Sequence, residues 1–384
     1  MPEPAKIVRV LEVVDTLEAG GMEHQLVHLI NRLDPERFHF EVCCLRHAGV
    51  NADKLKPGVP VHTLRKAEGF QWSAVNGLRG ILQKGFDVVH THNLSPLIYA
   101  ALATWGGVTP IFHGEHAQLT PAEFSRKRLW QRRLLYRCVE AVHTVSSGQR
   151  EELIRAGLNH SRLTAILNGV NTDHFRPPAS CEERRTIQAR LGLDISEDCQ
   201  WIGIVARFGA YKRHADLIQA FESLASDHPK TRLLMLGDGG PEKERVLQMA
   251  RESPVASRIH WAGYQSDPAP WYQIMDLLVV PSLNEGLSNT TLEAMSCAVP
   301  VLSHDNCGAR EMIRDHEGGW VRDLAGVEAL KQALTETLPE LLKTGTVVGR
   351  AGRERVSRHF SWAGMAEEYS VWLEACAGKR AFPG

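Results

Sequence analysis

Short apolar runs alternate with amphipathic stretches along this chain of 384 residues. KIVRVLEVV (6–14) reads as a strand, GMEHQLVHLINRL (21–33) carries apolar residues at helical spacing, and FHFEVCCL (38–45) reads as a strand again. The rhythm continues through FDVVHTH (86–92), TPIFHGE (109–115), VEAVHTV (139–145) and RLTAILN (162–168), with helical patterns between them. Such alternation predicts a parallel sheet with helices on both faces. It weakens at HFRPPASCEERR (174–185), where Pro177 and Pro178 can continue neither a ladder nor a helix interior. It resumes with WIGIVAR (201–207), TRLLMLG (231–237), RIHWAG (258–263), DLLVVPS (276–282) and VPVLSH (299–304). The expected fold class is therefore α/β, with two doubly wound parallel-sheet domains joined near residues 175–190. The length suits two cores better than one. The carboxyl ends of both sheets are expected around one central cleft, where ligands of open α/β sheets bind.

Composition narrows the function. Charged residues make up 23% and hydrophobic residues 43%, the balance of a soluble globular protein. Lys and Arg total 44 against 45 Asp and Glu, which gives no electrostatic case for a nucleic-acid partner. No apolar run approaches the roughly 20 residues that span a bilayer. The N-terminus, MPEPAKIVRVLEVV, lacks the features of a signal peptide. The eight cysteines form no CxxC pair and are expected to be reduced thiols of a cytoplasmic protein.

The stretch NEGLSNTTLEAM (284–295) carries the densest candidate chemistry. Glu285 falls in the loop at the carboxyl end of the strand DLLVVPS, and a helix is expected to begin near Asn289 or Thr290. Thr290 and Glu293 fit a capping box, in which Glu293 would reach back to the cap amide. That leaves Glu285 and Gly286 unexplained. Gly286 allows a close backbone approach, and the amides of Leu287, Ser288 and Asn289 would favour an anion. The second reading is thus a diphosphate held by amides, with Glu285 and Glu293 accepting hydrogen bonds from sugar hydroxyls. In WIGIVARFGAYKRHADLIQAF, Arg207 and Lys212 fall on another strand-to-helix loop and could neutralise a diphosphate leaving group. Gly237, Asp238 and Gly239 read as a plain tight turn.

This combination resembles the retaining glycosyltransferases of family four, which have the GT-B fold of two Rossmann-like domains. The resemblance rests on VARFGAYKRHADLIQAF, LLMLGDGGPE, HWAGYQSDPAPWYQIMDLLVVPSLNEGLSNTTLEAM and VPVLSHDNCGAREMI. EAGGMEHQLVHLINRL, FDVVHTHN, HGEHA, ILNGVNTDHFRPP and FSWAGMAEEYSVWLEA extend it over nearly the whole chain. It implies an acceptor-side domain over 1–176 and a nucleotide-sugar donor domain over 177–360, with a helix at about 361–377 packing back on the first. Glu285 would contact the donor sugar and Glu293 the ribose. Arg207 and Lys212 would grip the diphosphate, helped by amides near Gly286, Leu287, Ser288 and Asn289. Tyr264 and Gln265 would meet the nucleobase. Gly20 and Gly21 would let the backbone approach the donor phosphate or the acceptor, and His116 would sit beside the transferred sugar. Glu311 would face the donor sugar, although Cys307 replaces the first glycine of the family's turn. No cofactor is bound permanently; the donor is a nucleotide diphosphate sugar, UDP-sugar preferred to GDP-sugar. The implied activity is metal-independent hexosyl transfer to a saccharide or lipid-linked acceptor in surface polysaccharide or glycoconjugate synthesis. The rival readings are a sugar-nucleotide epimerase on the same fold and a non-catalytic sugar-nucleotide-binding module.

Two further features stand apart. His90, His92, His113 and His116 could bind zinc, but no carboxylate is clearly paired with them, and the expectation is no metal. FSRKRLWQRRLLYRC (124–138) holds Arg126, Lys127, Arg128, Arg132, Arg133 and Arg137 without an acidic residue, beside an apolar side of Leu129, Trp130, Leu134 and Leu135. It reads either as an amphipathic helix with a solvated basic face or as a helix on an anionic membrane surface, at the inner face of the plasma membrane.

Overall fold

The apolar runs become the central strands of two sheets, since strands covered on both faces need apolar side chains on both. The computed structural model describes residues 7–18, 20–116, 123, 125–193, 199–283 and 285–383. Lys6, Ala117, Phe124 and Asn284, each part of a stretch singled out above, lie outside the described residues. Contacts divide the chain into two units, one formed by 1–169 with 362–384 and the other by 170–361.

The first unit holds β1 (Val8–Thr16), β2 (Phe38–His47), β3 (Val61–Thr63), β4 (Val88–His92), β5 (Ile111–Glu115), β6 (Ala141–Thr144) and β7 (Leu163–Ala165). They form one parallel sheet in the order β3-β2-β1-β4-β5-β6-β7. Helix α1 (Gly21–Arg32) shares one core cluster with the C-terminal helix of the chain, Trp362–Cys376. Helices α2 (Trp72–Leu82), α3 (Leu94–Ala103) and α5 (Ser147–Arg155) contribute to a second cluster, and α4 (Arg126–Leu135) lies beside α3.

The second unit repeats the plan. Its strands are β8 (Gln200–Val205), β9 (Thr231–Leu236), β10 (Ile259–Gly263), β11 (Leu277–Val280), β12 (Val301–His304), β13 (Arg314–Asp315) and β14 (Gly318–Arg322). The order is β10-β9-β8-β11-β12-β14-β13, again all parallel. The helices are α6 (Cys181–Arg190), α7 (His214–Leu224), α8 (Lys243–Glu252), α9 (Ala269–Tyr272), α10 (Asn289–Ser296), α11 (Cys307–Met312) and α12 (Val327–His359). The C-terminal helix of the first unit is then α13. Among the described residues no helix is long and apolar enough to cross a membrane.

The strand order reverses direction between β1 and β4 in one unit and between β8 and β11 in the other. Loops on either side of such a switch diverge and leave a crevice at the carboxyl end of the sheet. In the second unit those loops are 206–213, after β8, and 281–288, after β11.

Candidate functional site

The loop after β8 is fixed by its own side chains. Arg213 adopts a left-handed backbone (φ 61°), a conformation costing about 1–2 kcal/mol for a residue with a Cβ. Its guanidinium holds it there: Nε donates to Asp216 Oδ2 at 2.8 Å and the fork also reaches the Leu324 carbonyl. Phe208 is fully buried, and its amide donates to the Gly239 carbonyl at 2.9 Å. Gly237 and Gly240 have positive φ, and a Cβ on either would lie 2.0 Å from the Ala206 carbonyl or 2.4 Å from that of Phe208. The GDGG stretch is thus a prop under the Arg207 loop.

Lys212 ends this loop and reaches the one after β11. The Leu283 amide donates to the Tyr211 carbonyl at 3.2 Å, and Lys212 Nζ forms an ion pair with Glu285 Oε1. Arg207 is exposed and has no side-chain partner among the described residues. One free guanidinium therefore stands on the same loop as a lysine already paired with a carboxylate. A second prop comes from α11. Asn306 caps that helix by accepting from the Ala309 amide at 2.9 Å, and its Nδ2 donates to the Ser282 carbonyl at 3.3 Å. A Cβ on Gly308 would sit 2.1 Å from the Gly286 carbonyl, so glycine is required where the two loops meet. Close contact depends on Gly308, while Cys307 in the preceding position turns its Sγ to the Glu285 carbonyl at 3.7 Å. The structure shows Glu311 touched through its backbone, where Arg355 Nη2 donates to its carbonyl at 2.7 Å.

The N-cap of α10 is Ser288, whose Oγ accepts from the Thr291 amide at 3.3 Å. The capping-box expectation for Thr290 and Glu293 is thereby corrected. Glu293 points into the interior instead, where its Oε2 accepts from the Tyr272 hydroxyl at 2.8 Å. Burial pushes the Glu293 carboxyl up to about 7, the Tyr272 bond opposing the shift and the charge of Asp267 adding to it. A buried carboxylate with one side-chain partner is costly, which makes Glu293 a candidate for a role beyond packing. Tyr272 was not singled out in the sequence, and nothing in APWYQIMD distinguishes it from an ordinary core aromatic. Tyr264, more than half exposed, and Gln265 stand on a separate loop after β10, where the Gln265 amide donates to the Ala262 carbonyl.

The remaining candidates lie in the first unit. Gly20 precedes α1 with extended backbone and Gly21 begins the helix, both after β1. His116 follows β5, half-buried, with its amide donating to Asn93 Oδ1 at 3.1 Å. The four histidines considered for zinc divide between the two faces of the sheet. His113 bonds Thr91 Oγ1 at 2.9 Å, on the face of Glu115 and Arg132. His90, His92 and His116 share the opposite face with His143, which the sequence reading passed over. A carboxylate is paired with them after all: Glu12, fully buried on β1, accepts from His92 Nε2 at 2.8 Å and lies 2.9 Å from His90 Nδ1. A charged residue inside the apolar run KIVRVLEVV was the available signal.

The basic stretch is less uniformly solvated than its composition suggests. Arg132 is buried; its Nε donates to Glu115 Oε1 at 2.7 Å and its Nη2 to Glu123 Oε2 at 2.7 Å. Arg128 also pairs with Glu123, at 3.0 Å. Leu129 and Leu135 pack on the core, while Trp130 and Leu134 stay exposed beside Arg126, Lys127, Arg133 and Arg137.

Two family models match the chain: Glycosyl transferases group 1 over residues 188–355 and Glycosyltransferase Family 4 over residues 19–174. The putative glycosyltransferase EpsD of Bacillus subtilis is 29% identical over 239 residues, 62% of this chain and 61% of the relative. The chain thus spans about three fifths of that protein's length. The D-inositol 3-phosphate glycosyltransferase of Thermobispora bispora is 26% identical over 406 residues, 95% of this chain and 92% of the relative. The crystal structure of Anabaena Alr3699/HepE in complex with UDP-glucose superposes with a TM-score of 0.82 at 20% identity, covering 96% of this chain and 99% of that one. At that identity the likeness is one of fold.

Proposed function

This chain belongs to the group 1 glycosyltransferases, and from that premise we propose that it moves a hexose-type sugar from a nucleotide diphosphate sugar to a saccharide or lipid-linked acceptor. The observation that carries the reading is the meeting of Lys212 and Glu285 at the switch point of the second unit, with Arg207 unpaired on the same loop. In this reading the diphosphate takes the cations and the positive end of α10. Glu285, then released from Lys212, accepts from sugar hydroxyls. Glu293, ionised beside Tyr272, accepts from the ribose. Tyr264 and Gln265 border the base.

As the glycosidic bond breaks, negative charge grows on the phosphate oxygens. Arg207 and Lys212 therefore act more strongly in the transition state than on the bound donor. Two cations on one loop supply the charge that a metal would otherwise bring, which supports metal-independent transfer. The resemblance to the retaining glycosyltransferases of family four implies that the acceptor hydroxyl attacks from the leaving-group face, its proton passing to the departing phosphate oxygen, so that configuration is retained. The UDP-glucose held by the Anabaena protein supports a uridine donor. Exposed Trp130 and Leu134 beside four cations support contact of α4 with anionic lipid, and liposome flotation with and without anionic lipid tests it.

The test of function is incubation with a sugar nucleotide, with and without acceptors. Transfer consumes donor in proportion to acceptor glycosylated. An epimerase would convert donor with no acceptor, and a binding module would leave it intact; either result would overturn the proposal.

A further inference from the structure

The face of the first sheet that packs on α13 carries a branched chain of buried imidazoles. Glu12 of β1 is in register with His90 of β4, and His92 follows on the same side two residues later. Gly114 of β5 lies between His92 and His143 of β6 in the next row. Because Gly114 has no side chain, neighbouring rings fill the space: a Cβ there would lie 2.5 Å from His143 Nε2 and 2.6 Å from His116 Nε2. The hydrogen bonds run from His116 Nε2 to His92 Nδ1 at 2.8 Å and from His92 Nε2 to Glu12 Oε2 at 2.8 Å. A branch joins His90 Nε2 to His143 Nε2 at 3.0 Å.

The charges along the main branch assign its protons. Burial alone would raise the Glu12 carboxyl, but the charge and hydrogen bonds of His90 and His92 outweigh it and hold the group down at about 2. Burial brings His92 down to about 4 and lowers His116 and His143 well below the usual imidazole range, with the neighbouring histidines adding to each shift. At neutral pH an ionised Glu12 can only accept, so His92 carries its proton on Nε2. His92 Nδ1 is then bare and must accept, so His116 carries its proton on Nε2. This leaves the lone pair of His116 on Nδ1. His90, His143, His113 on the opposite face and Tyr369 of α13, whose ring lies 5.1 Å from His143, also surround the chain.

We propose that Glu12 and His92 are positioning residues that fix the ring and tautomer of His116, so that His116 presents Nδ1 as an acceptor to a hydroxyl of the bound sugar or of the acceptor. The device rests on the glycosyl-transfer reading for its use, though not for its chemistry. A neutral imidazole with a bare Nδ1 takes a hydroxyl hydrogen and repels an anionic oxygen. His116 therefore selects a hydroxyl-bearing part of a substrate and disfavours a phosphate. The donor atoms of Glu12, His90 and His92 stand close enough together to hold one ion, but at hydrogen-bond rather than ligand spacing. Glu12 Oε2 lies 2.8 and 2.9 Å from the two histidine nitrogens, which is hydrogen-bond spacing. Ligands around a tetrahedral zinc, with bonds of ~2.0–2.1 Å, stand about 3.3 Å apart.

The experiment is long-range proton–nitrogen NMR on tag-free protein labelled with 15N-histidine, near pH 7, beside assays of His92→Phe and Glu12→Gln. The expected spectrum shows His92 and His116 neutral, each protonated on Nε2. His92→Phe should release the His116 tautomer and lower turnover roughly tenfold, the scale of one lost orienting hydrogen bond, while UDP affinity stays within about twofold. Glu12→Gln keeps an acceptor oxygen and should recover part of that loss. A His116 protonated on Nδ1, a stoichiometric transition metal in the wild-type protein, or unchanged turnover in His92→Phe would each overturn the proposal. If the wild-type protein transfers no sugar yet shows the expected tautomers, the functional reading fails and the positioning device stands. The wild-type spectrum decides the tautomer even if a variant fails to fold.

Discussion

Glu293 shows how one residue's surroundings set its chemistry. Its carboxyl titrates near 7 in the folded chain, against about 4.3 in an unfolded one. The folded state thus holds a proton that the unfolded state has released between those values. Stability from this group is present at low pH and lost as pH rises through 7. Glu293→Gln should accordingly flatten the fall in melting temperature between about pH 4.5 and 7. Ribose binding runs the other way, because an ionised carboxylate accepts from two hydroxyls at once. UDP affinity of the wild-type protein should rise about tenfold from pH 6 to 8, whereas Glu293→Gln keeps only the slope of the ligand's own phosphate; equal slopes by calorimetry would remove the ribose role. At the neighbouring diphosphate, Lys212→Ala and Arg207→Ala should each lower turnover by about a hundredfold. The sequence displays these candidates because cations and carboxylates lie beside strand ends. It does not display Tyr272 or His143, since an aromatic or imidazole inside an apolar run looks like core until the fold sets it beside a carboxylate.

Among elements, loops are placed by the helices and turns beneath them. The start of α11 presses Gly308 against the Gly286 carbonyl. Gly308→Val should cost about 1–3 kcal/mol by overpacking and shift the 285–288 loop, so melting temperature and UDP affinity should fall together. On α4, Arg132 pairs with buried Glu115. Burial alone would raise that carboxyl, but the bond and charge of His113 and the charge of Arg132 outweigh it and hold the group down at about 2. Arg132→Ala would strand this carboxylate and should destabilise the first unit by about 3 kcal/mol, read as a lower denaturant midpoint. The long strands and most helices were legible because their apolar period is carried over several turns or residues. β3, β13 and β14 were not: two to five residues with glycines or polar neighbours give too short a pattern. The basic run showed its charge but hid that Arg132 turns inward, which depends on acids outside the run.

Over the whole chain, two parallel seven-stranded sheets repeat one plan, and the alternating pattern was enough to foresee it. The last helix completes the first unit, whose core includes Trp362, Met365, Tyr369, Trp372 and Leu373. A chain ending at 361 should therefore lose the calorimetric transition of the first unit, while the second unit, 170–361, keeps its own sheet and core. What the pattern could not supply is the pairing of loops at each switch point, because that depends on strand order and not on any local run. The account depends above all on a nucleoside diphosphate bound by the second unit through Arg207 and Lys212. Calorimetric titration of UDP into the wild-type protein, Arg207→Ala and Lys212→Ala tests this most directly. One site per chain is predicted, weakened about tenfold to a hundredfold in each variant, the loss expected for a charge-assisted hydrogen bond. Equal affinity in all three proteins, or no binding to the wild type, would contradict it.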